Sequence, residues 1–418
     1  MRIRTLALLA LALPLSLTAQ NDPHMAKARR VLRAVPLIDG HNDLPWAIRN
    51  NAPAPRDVDA YDLRKPTTGH TDIARLRKGM TGAQFWSIYI PGDIKDSGYA
   101  RVQLEQFDIA RRVVAKYPDV FEWALTAAAI RRAHQRGRVG SLLGLEGGHA
   151  IENSLGALRV YYDLGARYMT LTHNVTLDWA DAANDQQKHG GLTKFGEEVV
   201  REMNRLGMLV DLSHVSPGTM SDALNTAEAP VIFSHSSARG LVDVPRNVPD
   251  SILRRLPENG GVVMVTFVPS FISQKVADHA GRRGAKLTEL RQRFPNDSAA
   301  SARELADWDR ANPLPKATLG DVADHIDHVR KLAGVNHVGI GSDYDGIDDT
   351  PEGLPDVAAF PVLFAELSRR GWSEADLRKL AGENLLRAMT RAEQVARRLQ
   401  RERPPSTKTI QQLDGPKM

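Results

Sequence analysis

The sequence predicts an α/β protein, a (β/α)8 TIM barrel carrying an insertion after its seventh strand. Three observations point there. Eight short β-branched or apolar runs recur along the 418 residues, longer helical patterns separate them, and six of the eight runs end in a histidine or a carboxylate. Alternating strands and helices imply parallel pairing, and unbroken apolar runs imply strands covered on both faces. A doubly wound open sheet is the competing arrangement, but no Gly-x-Gly-x-x-Gly opens a helix in this chain.

The first residues read as a processing signal. Met1 to Arg4 is basic, Thr5 to Leu17 is an apolar stretch too short to span a bilayer comfortably, and small and polar residues follow with a cut placed after Ala19. Residues 1–19 are therefore expected to be a secretory signal peptide, 20–400 a single barrel domain, and 401–418 a polar tail. The expected destination is the periplasm or the exterior, with no stable membrane anchor once the leader is removed.

The strands are expected at 35–41, 84–90, 140–145, 167–172, 207–212, 230–234, 261–267 and 337–342. Helical patterns fall at 101–116, 153–164, 195–206, 216–226, 320–333, 356–370 and 373–398. The stretch 273–315, rich in Arg, Ala, Asp and Pro, breaks the rhythm and is read as a partly helical insertion over one end of the barrel.

Composition narrows the function. The 42% hydrophobic and 25% charged residues describe an ordinary globular protein. The net charge of +5 comes from scattered basic residues rather than one patch, so no nucleic-acid partner is expected. Cysteine is absent, which excludes disulfides, cysteine nucleophiles and thiolate zinc sites; an exported chain of this kind must rest on its core or on bound metal.

Chemistry concentrates at the carboxyl ends of the strands, where barrels build their sites. The first strand ends "DGHND", with His41 and Asp43 two apart and facing one side; the stretch alone fits a strand-capping turn as well as a ligand pair. "LLGLEGG" brings Glu146 to the tip of the third, and a carboxylate heading into a buried place needs a partner. "DLSHVS" and "FSHSS" place His214 and His235 after similar apolar runs. With its two oxygens, Glu146 can bridge one metal at His41 and Asp43 and another at His214 and His235. Mixed nitrogen and oxygen ligation suits zinc, with manganese or cobalt as alternatives.

The remaining strand-end groups have no evident need to be ligands. Asp343, in "GSDYDG", is placed to shuttle a proton; a calcium-loop reading fails because Gly346 comes too early and Ile347 fills a ligand position. His173, in "LTHN", is either a donor to a developing oxyanion or an orienting residue. Arg246 can fork onto a substrate carboxylate, or pair at the surface with Asp243 or Asp250. His325 and His328 are read as solvent-facing, His149, His189 and His337 as structural, and Asp39 as support behind His41.

Together, "DGHNDLPW", "GLEGGHAI", "LTHN" with "WAD", "DLSHVS", "FSHSSARGLVDVPRNVPD" and "VGIGSDYDG" resemble the renal or membrane dipeptidase family, the zinc-dependent dipeptidases of metallopeptidase family M19. The resemblance runs from Val35 to the "GENLLR" segment at 382–387. It implies a barrel binding two Zn2+ per subunit, with His41 and Asp43 on one ion, His214 and His235 on the other, and Glu146 between. It further implies that His173, Arg246 and Asp343 bind the substrate, with His173 and Asp343 also catalytic. The implied activity is hydrolysis of L,L and L,D dipeptides by a hydroxide bridging the metals, usually in a homodimer. Family members from mammals carry a lipid anchor and cysteines, so this chain is closer to an exported bacterial member whose dimer would be non-covalent. Its 273–315 insertion is longer, and Val268 stands where those relatives carry a tyrosine. A broader amidohydrolase or lactonase and a non-catalytic exported binding protein are the competing readings.

Overall fold

The structure, a computed structural model, describes residues 22–94 and 98–415; the expected signal peptide lies outside the described residues. Nine strands form one parallel sheet: β1 Leu37–Asn42, β2 Thr81–Ser87, β3 Phe121–Trp123, β4 Val139–Glu146, β5 Ala166–Thr170, β6 Leu209–Asp211, β7 Ile232–Phe233, β8 Val262–Val265 and β9 Val338–Ile340. The neighbours run β2-β1-β9-β8-β7-β6-β5-β4, and β2 pairs with β4, from Ala83 opposite Gly140 to Ser87 opposite Gly144. That pairing closes an eight-stranded (β/α)8 barrel, as expected. Strand β3 is the supernumerary ninth, pairing only with the start of β4, Phe121 opposite Val139.

Helices cover the outside because their sequences carry start signals and apolar stripes. Thr193, Ser154, Ser216 and Thr318 each accept a backbone N–H of the turn they cap, removing an orphan donor. Val322, His325, Ile326, Val329 and Ala333 form the buried stripe of Leu319–Ala333. Leu385, Leu386, Ala388 and Met389 of Asn384–Glu402 join Ile38, Leu209, Ala229 and Val262 in one apolar cluster. These residues lie at or just before the strands' starts, so this helix covers the barrel's amino end and leaves the carboxyl end for chemistry.

Three expectations shift. Strand β2 lies three residues earlier than predicted, because Thr81 and Ala83 already pair with Leu37 and Ile38 of β1; Gln84, polar and fully buried, donates its amide to the Asp39 carbonyl at 3.3 Å. The insertion is almost wholly helical, Gln274–Arg293 and Ser298–Ala311, and buries little beyond Val276, His279, Leu290 and Ser301. The polar tail folds back: Ile410 is buried, and Asp414 accepts from Thr193 Oγ1 (2.7 Å) and Phe195 N (3.2 Å).

Candidate metal centre

The eight predicted site residues converge on one cavity of about 330 Å³ at the carboxyl end of the barrel; all but His41 line its surface directly. Glu146, at the tip of β4, is central. Its Oε1 lies 3.1 Å from His214 Nε2 and 3.5 Å from His235 Nε2, while its Oε2 lies 3.5 Å from His41 Nε2. Asp43 Oδ2 is 3.1 Å and Asp343 Oδ1 3.9 Å from that same His41 nitrogen, and His173 Nε2 stands 3.8 Å from Glu146 Oε1. His214 and Asp343 both hold left-handed backbone, with φ of 67° and 69°.

Supporting hydrogen bonds fix each ring. The Tyr168 hydroxyl donates to Gly40 O (3.2 Å) and so accepts from His41 Nδ1 (2.8 Å). Gly144 makes room for that phenol, since a β-carbon there would lie 2.0 Å from the Tyr168 ring. His214 Nδ1 donates to Asn174 Oδ1 (3.2 Å), and His235 Nδ1 to Ser234 Oγ (2.8 Å). In the neutral ring each Nε2 therefore carries a lone pair turned inward. His214 and His235 then present two acceptors to one another at 2.9 Å, and the buried His41 Nε2 has no hydrogen-bond partner. Facing lone pairs beside three carboxylates are electrostatically incomplete without a cation, and mixed N/O donors suit zinc-like ions. The residues fit a metal.

Electrostatics separate the roles. Burial pulls His41 down, but Tyr168, Glu146 and Asp43 together raise it well above the usual range, so without a cation its inward Nε2 holds a proton, in the place a metal would take. Burial pushes Glu146 up, yet His41, His214 and His173 hold it well below an ordinary glutamate. Asp343 is pushed up to about 7, first by burial, then by Asp43 and Glu146. His173 is lowered, mainly by burial, so it is neutral at pH 7. Arg246 is not at the surface: it is buried, its Nη2 donates to His235 O (3.4 Å), its Nη1 has no partner, and burial lowers it to about 10. Asp243 and Asp250 instead face Arg239 and His328.

Asp39 stands behind the site as expected, accepting from Ser342 N (2.7 Å) and Oγ (2.6 Å). His325 is a correction. It is buried, and its Nδ1 accepts from Ala238 N at 3.0 Å. Sequence reasoning also missed Tyr168, Ser234 and Asp211 behind the histidines, and Trp46, Tyr89 and Phe271 on the cavity wall. The signal for Asp211 was a carboxylate inside the apolar run "LVDL"; nothing local marked its partners.

A parallel barrel with a converging cluster of His, Asp and Glu at its carboxyl end defines a metal-dependent hydrolase. The chain matches the family described as membrane dipeptidase (peptidase family M19) over residues 25–403 and belongs to it. It is a hydrolase acting on dipeptides, with a metal cofactor. Among solved structures it is similar to the probable dipeptidase PvdM from Pseudomonas aeruginosa: 24% identity, 89% of this chain and 99% of that one, TM-score 0.76. A metallo peptidase from Rhodobacter sphaeroides, liganded with a phosphinate mimic of the dipeptide L-Ala-D-Ala, is 25% identical over 86% of this chain and 99% of its own, TM-score 0.69. The M19 dipeptidase AC is 26% identical over 86% and 98%, TM-score 0.68.

Proposed function

We propose that this chain is an exported dinuclear zinc dipeptidase, hydrolysing L-Xaa-L-Xaa and L-Xaa-D-Xaa substrates. The observation that carries the reading is the division of Glu146, one oxygen toward His41 and the other toward His214 and His235. In this reading His41 and Asp43 would hold one ion, His214 and His235 the other, and Glu146 would serve both. When bound, the ions supply Lewis-acid polarisation of the peptide carbonyl and an acidified water.

The chain's own groups do the rest. Arg246, with its buried unpartnered Nη1, binds the substrate's terminal carboxylate. His173, neutral at pH 7, donates to the carbonyl oxygen as charge develops there. Asp343, near 7, takes a proton from the attacking water and delivers it to the leaving nitrogen. With the terminal carboxylate held at Arg246, the cavity of about 330 Å³ is of a size for a dipeptide.

The Rhodobacter sphaeroides relative, with its L-Ala-D-Ala mimic, supports tolerance of a D-residue. The leader at 1–19 supports export, and among the described residues no helix is long and apolar enough to cross a membrane. A dimer, which the family resemblance suggests, would be non-covalent because cysteine is absent.

The test is metal analysis of the purified protein together with a panel of L,L, L,D and C-terminally amidated dipeptides. Two zinc equivalents per chain and a preference of about 100-fold for free over amidated substrates are expected, the size of a lost charge-assisted contact. A protein with fewer than two sites, or one turning over amides equally well, would overturn the metal or the Arg246 assignment respectively.

A further inference from the structure

Asp211, the last residue of β6, is fully buried and does not line the cavity. It nevertheless collects four hydrogen bonds, from the tips of two neighbouring strands and of its own. Its Oδ2 accepts from Thr170 Oγ1 (2.5 Å) and Ser234 Oγ (2.6 Å), and its Oδ1 from Ser234 N (2.8 Å) and Ser213 N (3.1 Å). Two backbone N–H groups and two hydroxyls converge on the carboxylate, and these bonds favour the anion against the burial that raises it. Because the Ser234 hydroxyl spends its proton on Asp211, its lone pair takes the Nδ1–H of His235 at 2.8 Å.

The three histidines are therefore backed unequally. His41 leans on a neutral phenol and His214 on the amide of an exposed asparagine. Among the described residues, only His235 is backed, through one hydroxyl, by a buried negative charge. Outer hydrogen bonds of this kind fix the tautomer of a metal-binding imidazole and raise its basicity.

We propose that Asp211 and Ser234 form a hydrogen-bond relay that positions His235 and strengthens it as a donor, so that the cation position shared by His214 and His235 depends on the relay and the position at His41 and Asp43 does not. The inference rests on the assignment of His235 as a ligand. Asp211 and Ser234 touch no substrate and are positioning residues.

The test is titration of the metal-free full-length protein with cobalt(II), following the d–d absorption of each equivalent, alongside thermal melting of the metal-free form. Ser234→Ala cuts the relay and leaves three of the four bonds to Asp211. It is expected to weaken one of two cobalt equivalents about 10- to 100-fold and leave the other unchanged. Ser234→Thr, which keeps the hydroxyl, is expected to restore that equivalent. Thr170→Val removes a different bond to the same carboxylate; it should lower the melting temperature without moving either cobalt affinity. If Ser234→Ala changes neither equivalent or both alike, or if Thr170→Val reproduces its cobalt effect, the relay is overturned while the ligand assignment stands. A wild-type protein that takes up no cobalt overturns the ligand assignment and the relay with it.

Discussion

Gly346 is pressed against Asp43: a β-carbon at position 346 would lie 2.3 Å from Asp43 Oδ2 and 2.8 Å from Asp343 Oδ1. Both atoms are the free ends of side chains, so the fold can absorb the intrusion and the site cannot. Gly346→Ala is expected to leave the melting temperature within a few degrees of wild type. The same change should lower kcat/KM for a dipeptide about 10- to 100-fold, the scale seen when contacts around metal ligands are disturbed. Melting curves and steady-state kinetics on one preparation check both halves.

Phe271 lies beside Arg246, its ring 5.3 Å from the guanidinium carbon. On the proposed capture of the substrate carboxylate by Arg246, the C-terminal side chain would lie against Phe271 and Val268, which line the cavity. Phe271→Ala should lower kcat/KM about 10-fold for dipeptides ending in Leu or Phe, relative to those ending in Gly. An equal loss for both would show that the ring only steadies Arg246.

His325 makes stability depend on pH. Burial holds its imidazole down to about 4 from the usual 6.5, so the native state keeps it neutral while the unfolded chain binds a proton below 6.5. A depressed folded value gives stability that is full above pH 6.5 and is lost as pH falls toward 4. Between pH 7 and 4.5 this one group should remove about 2–3 kcal/mol of unfolding free energy. Urea denaturation of wild type and His325→Gln at both pH values checks it: the variant should show a loss smaller by that amount.

Much of this was legible because barrel strands announce themselves twice, by an apolar run and by what ends it. Glu146, His214 and His235 were found that way. Strand β3 was not, since Phe121–Trp123 is three residues long with only Phe121 buried, and no run of that length stands out. His325 was misread although the signal was present: it falls on the stripe of Val322, Ile326 and Val329, and a polar residue at a core period is a buried one with a partner. The partners themselves are a different matter. Asp211 meets Ser234 and Thr170 across 23 and 41 residues of sequence, and only the closed sheet brings those strand tips together.

The left-handed backbone of His214 and Asp343 sets two selective pressures against each other. A β-carbon in that conformation costs about 1 kcal/mol that glycine would not incur. Laboratory evolution scored on heat tolerance of the metal-free protein alone would thus drift toward glycine at both positions, and the survivors would be sturdier barrels that had discarded an imidazole and a carboxylate from the centre of their chemistry.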